Sequence, residues 1–156
     1  MKKLIAYYSR AGENYFSGTH RAIAVGNTEK AAQLLAEKLK EQGCPKVVLT
    51  CVQREDWAEA VEDAFRYGKL VLAAPTYNGF LFPAMREFIE HLTERNYQNR
   101  QVAFIENGSW APAAAKEMKK LLEGCKNVTL GSTVTIRSAM TEETPAQLDA
   151  LAQELR

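Results

Sequence analysis

A surplus of charge of either sign is the first thing this sequence lacks. Its 20 Lys and Arg side chains face 19 Asp and Glu, leaving a formal net charge of +1 over 156 residues. No broad field results that would gather a polyanion or a charged lipid surface, so neither nucleic acid nor membrane is expected as a partner. Cysteine is scarce as well. Cys44, Cys51 and Cys125 form an odd set without CxxC spacing, which argues against a disulfide framework and against a CxxC metal or redox pair. Buried thiols in a reducing compartment are the expectation. Histidine is limited to His20 and His91, in separate elements, too few for a His-and-carboxylate diiron centre. His91 reads as a packed or surface helix residue. Long apolar runs are missing too. Lys2 and Lys3 precede an apolar stretch, Leu4 to Tyr8, that Ser9 and Arg10 close before it reaches the length of a secretory h-region. Nothing approaches the ~18 apolar residues of a membrane span. These absences point to a cytoplasmic chain.

What the chain does have is 46% hydrophobic residues, enough for one domain with its own core. The apolar residues switch repeatedly between strand-like runs and helical spacing, the pattern of an α/β domain with a parallel sheet. Strands are predicted at Leu4 to Tyr8, Lys46 to Val52, Lys69 to Pro75, Gln101 to Glu106 and Asn127 to Ile136, the last with a break at Gly131. Helices are predicted at Asn27 to Gly43, Asp56 to Arg66, Phe82 to Leu92, Pro112 to Leu122 and Thr144 to Arg156. On the first helix Glu37, Lys38, Lys40 and Glu41 read as a solvated face. Five strands alternating with five helices leave no room for a linker, and neither repeats nor low-complexity tracts occur.

A doubly wound sheet of this kind binds ligands outside the carboxyl ends of its strands. The segments that follow the first, third and fourth predicted strands are rich in Gly, Asn, Ser, Thr, Tyr and Trp. In the first, Gly26, Asn27 and Thr28 open a helix. Its free N–H groups, its dipole and the hydroxyls of Ser9 and Thr28 suit a phosphate monoester, or else Asn27 or Thr28 simply caps the helix. Neither a Walker pattern nor GxGxxG is present, which disfavours ATP and a dinucleotide. In the other two, Tyr77 and Trp110 offer faces for a planar ring, flanked by Asn78, Gly79, Asn107 and Gly108 for its polar edge. A phosphate site beside an aromatic slot implies a mononucleotide.

These segments resemble the flavodoxin family. The stretch from "APTYNGFLF" through "IENGSWAP" to "LLEG", together with "VTIRSA", closely resembles the flavodoxin domain of flavodiiron proteins, whereas "LIAYYSRAGENY" and "VGNTEKAAQLLAE" resemble free-standing bacterial flavodoxin-like proteins. The resemblance implies an α/β flavodoxin-like fold: a doubly wound, five-stranded parallel sheet of strand order 2-1-3-4-5 with helices on both faces. It implies FMN as cofactor, its phosphate on Ser9, Arg10, Gly26, Asn27 and Thr28. The ring then falls on Pro75, Thr76, Tyr77, Asn78 and Gly79 from one loop and on Asn107, Gly108, Ser109 and Trp110 from another. In usual flavodoxins the phosphate loop is compact. Here Ala11 to Val25 separate its two parts, so residues 1–156 read as a single FMN-binding domain with a long insertion in that loop, folded toward the phosphate or the flavin edge.

With FMN bound, the ring does the redox chemistry and the protein sets its potential; no catalytic acid, nucleophile or metal is required. The leading expectation is an electron carrier between protein redox partners. One alternative is an NAD(P)H-dependent FMN quinone reductase, for which no second nucleotide fingerprint is found. Another is a non-redox binding module for a phosphate-bearing ligand. Usual flavodoxins are strongly acidic. This chain is nearly neutral, and its ring loops bring only Glu106.

Overall fold

The computed structural model describes residues 3–7, 27–44, 46–52, 56–77 and 79–156. Along the chain run β1 (Lys3–Tyr7), α1 (Asn27–Glu41), β2 (Val47–Cys51), α2 (Trp57–Arg66), β3 (Lys69–Tyr77), β4 (Phe80–Leu81), α3 (Pro83–Glu94), β5 (Arg100–Asn107), α4 (Ala114–Leu122), β6 (Val128–Ile136) and α5 (Thr144–Glu154). The five long strands are all parallel and lie in the order β2-β1-β3-β5-β6, the 2-1-3-4-5 order expected of them. The two-residue β4 is an addition. It folds back antiparallel on the end of β3, pairing Thr76 with Leu81 and Tyr77 with Phe80.

Helices cover both faces of the sheet, and the central strands show why a continuous apolar run was needed. Leu70, Leu72, Val102 and Phe104 pack into a core with α2, α3 and α4, while Val71, Ala73, Ala103 and Ile105 pack into a second core with α1 and α5. A strand buried on both faces has no polar alternation to show. The helices carry conventional start signals. Asp56 caps α2 by accepting from the Ala58 N–H at 2.9 Å, and Pro83 occupies the first turn of α3.

Three details differ from the sequence expectation. The predicted break at Gly131 is a bulge inside a single strand: β6 pairs Leu130 with Val102 but Thr133 with Phe104, so one extra residue is accommodated opposite β5. Lys38 does not lie on a solvated face; its ammonium is largely covered and meets Asp149 of α5 at 2.8 Å, tying the two helices of one layer. Of the three cysteines, none of them in a disulfide, only Cys51 is buried. Cys44 and Cys125 are half-buried because they sit in the turns that follow α1 and α4, and burial still pushes the Cys125 thiol up. His91, in α3, stacks on Trp57 of α2 with ring centroids 3.9 Å apart, in keeping with a packed helix residue. Among the described residues, no helix is long and apolar enough to cross a membrane.

Candidate cofactor site

The carboxyl ends of β1, β3, β5 and β6 open on one side of the sheet, as parallel strands require. β3 and β5 are neighbours to their ends, with Pro75 opposite Asn107, and Asn107 in turn stands opposite Ile136 of β6. The loops that leave these strands are therefore held side by side by the ladder beneath them.

The loop from β3 is a tight hairpin. Tyr77 and Phe80 pair with each other, and Gly79, just before Phe80, sits at φ +77° with nothing among the described residues within 4 Å of the position a Cβ would take. Asn-Gly between pairing residues is a strong hairpin signal, and it was present in the sequence. The turn leaves Phe80 62% exposed at its tip.

The loop from β5 is fastened from below. The Thr76 hydroxyl accepts from the Ala113 and Ala114 N–H groups at 2.9 and 3.3 Å, two of the N-terminal donors that α4 cannot satisfy itself. A Cβ on Gly108 would come within 3.1 Å of that same oxygen and of the Pro112 backbone, so a side chain there would push the loop off Thr76 by a few tenths of an ångström. Beyond Gly108, Trp110 projects outward and is 92% exposed.

Glu106 does not face a ligand. It is buried at the end of β5, where one oxygen accepts from the Ala115 N–H at 2.9 Å and the other from the Thr135 hydroxyl at 2.8 Å. An acid at a helix N-terminus is held by orphan N–H groups and by the helix dipole, so this residue fixes where α4 begins. The side chain of Asn107 is likewise engaged. Its amide accepts from the Ser138 N–H at 2.9 Å and donates to the Ser138 carbonyl at 3.3 Å. Asn27, the first residue of α1, donates to the same carbonyl.

Of the residues expected to take phosphate, Ser9, Arg10 and Gly26 lie outside the described residues, as does the insertion of residues 11–25. Thr28 is buried in the first turn of α1 beside half-buried Asn27. Of those expected to take the ring, Asn78 lies outside the described residues. Pro75, Thr76, Gly79, Asn107, Gly108, Ser109 and Trp110 all fall on the two adjacent loops or at their roots, and the backbone of Tyr77 closes β3. Sequence reasoning missed Ser138, which stands at φ +67° just after β6. Only its place in the "VTIRSA" stretch hinted at it.

The sequence profile of the Flavodoxin domain family matches residues 24–152. The chain belongs to the flavodoxin-domain family. FMN is the cofactor that proteins with this domain bind. Over 131 residues the domain is 22% identical to the rubredoxin-oxygen oxidoreductase of Megalodesulfovibrio gigas, an alignment spanning 83% of this chain and 32% of that protein. Among solved structures, the rubredoxin oxygen:oxidoreductase of Desulfovibrio gigas superposes with a TM-score of 0.81 at 21% identity, covering 97% of this chain and 34% of the other. A flavodoxin from Streptococcus pneumoniae gives 0.77 at 20% identity and covers 99% of this flavodoxin domain and 97% of its own chain. The flavodiiron protein of Giardia intestinalis gives 0.77 at 18%, with 35% of its length covered.

The described site fits such a cofactor. It offers an exposed indole, a glycine turn with open space above it, and a helix N-terminus one loop away. A planar ring joined to a phosphate needs these three surfaces together.

Proposed function

We propose that this flavodoxin domain binds FMN between the loops after β3 and β5 and carries electrons between redox partner proteins. The phosphate would lie on Ser9, Arg10, Gly26, Asn27 and Thr28. The ring would lie on Pro75 to Gly79 and on Gly108, Ser109 and Trp110, with Asn107 at the root of that second loop. Bound there, FMN supplies reversible one- and two-electron chemistry. The chain's own part is to hold and orient it. Trp110 presents a flat apolar face, the glycine at position 79 leaves the hairpin turn free of side-chain obstruction, and the start of α1 presents N–H donors to an anion.

The observation that carries this reading is the exposure of Trp110 at 92%, on a loop that Thr76, Gly108 and Glu106 hold in place from beneath. Building a rigid support under an indole left almost wholly exposed among the described residues makes sense where the indole's partner is a ligand. Phe80, 62% exposed across the neighbouring loop, extends the apolar rim. With Glu106 turned inward, docking there depends on apolar contact more than on acidic charge.

The test is to load the protein with FMN, reduce it chemically and mix it with cytochrome c. A carrier hands electrons over within seconds and does not oxidise NADH or NADPH when a benzoquinone is the acceptor. Sustained nicotinamide oxidation with quinone would assign the domain to the reductases instead.

A further inference from the structure

Two side-chain amides from opposite ends of the site converge on the backbone of one residue, Ser138, and share its carbonyl. Asn107 closes β5, immediately before the loop that carries Trp110, and its amide grips both the N–H and the carbonyl of Ser138. Asn27 opens α1, at the phosphate end, and donates to that same carbonyl from 111 residues away. Ser138 stands in the left-handed region at φ +67°, which a serine adopts at a cost and keeps only where its surroundings impose it. The backbone doubles back here, the Ala139 N–H reaching the Arg137 carbonyl at 2.8 Å, so the peptide is presented to both amides at once.

We infer that Asn107, Ser138 and Asn27 form a clasp that fixes the spacing between the phosphate end and the ring end of the site, with Asn107 acting as a positioning residue rather than as a flavin contact through its side chain. The sheet ladder sets where β5 ends. It does not by itself set where α1 begins, because α1 is reached only through residues 8–26. The buried face of α1 packs it on the sheet and on α5, and the clasp adds a tie at its first residue. A ligand that must satisfy both ends together depends on it, whereas a ligand held by its ring alone does not.

The inference rests on the FMN reading, and its test separates the two. Affinities for FMN and for riboflavin are measured by quenching of flavin fluorescence in wild type, Asn107→Ala and Asn27→Ala. The wild-type protein is expected to prefer FMN. Asn107→Ala, which removes no group assigned to the phosphate, is expected to lose tenfold or more in FMN affinity while riboflavin affinity changes by less than about threefold, the signature of lost spacing; Asn27→Ala, which removes a phosphate contact as well, is expected to lose at least as much FMN affinity. Parallel loss of both ligands in Asn107→Ala, with Asn27→Ala inert, would mean that Asn107 merely holds up its own loop and would overturn the clasp. So would full retention of the FMN preference in both variants. A wild-type protein without that preference would instead overturn the FMN reading, and the clasp's role with it.

Discussion

Trp110→Ala is expected to weaken FMN binding by roughly 5- to 150-fold, the equivalent of about 1–3 kcal/mol for a ring stacked on an aromatic side chain. Thermal stability should hardly move. With 92% of its surface in solvent, the indole contributes little to the protein's own packing, and exposed positions of that kind usually change stability by less than about 0.5 kcal/mol. The pairing of a large binding effect with a negligible folding effect is what distinguishes a ligand platform from a core residue. Trp110→Phe should recover much of the affinity by restoring a ring face. Equal affinities for the wild-type and alanine proteins would remove Trp110 from the site and leave its supporting loop without a purpose.

The opposite pattern is expected at Glu106. Its two oxygens satisfy the buried Ala115 N–H at the start of α4 and the hydroxyl of Thr135 on β6. Glu106→Ala orphans the buried Ala115 N–H, leaves the Thr135 hydroxyl to water and withdraws an acid from a helix N-terminus, a loss of about 2–4 kcal/mol. For a domain of this size the melting temperature should fall by ~5–15 °C. Glu106→Gln keeps an oxygen for one donor and should lie between the two proteins. Calorimetry or circular dichroism of the apo-protein reads this directly. An alanine variant that melts with the wild type would show that α4 is placed by Thr76 and packing alone.

These two residues also show what is legible in a sequence alone. Trp110 and Gly79 are legible as candidates because an indole and a flexible glycine stand together in the loops that follow two unbroken apolar strands. The alternation of strand and helix was legible because β3 and β5, buried on both faces, spell unbroken apolar runs such as Leu70 to Ala74. Glu106 was not legible. Nothing in "FIENGSW" says that its carboxyl turns inward to meet a helix that starts eight residues later and a threonine from another strand. Asn107 was open to the same misreading, since its partner lies 31 residues downstream. A polar side chain near a site is visible in a sequence, but whether it faces a ligand or a neighbouring loop depends on contacts distant along the chain. The small β4 strand has a sequence signal of its own, the Asn-Gly pair at 78–79, which the Gly-rich and aromatic character of that loop masks.

The central claim is that the start of α1 and the two ring loops act together on one ligand, and one measurement bears on it most directly. Apo-protein is titrated into FMN while the flavin fluorescence is followed, with riboflavin as the control that differs only by the phosphate. Strong quenching of FMN together with much weaker binding of riboflavin is the result expected of a phosphate site joined to an aromatic slot. Equal binding of the two flavins, or none of either, would contradict it.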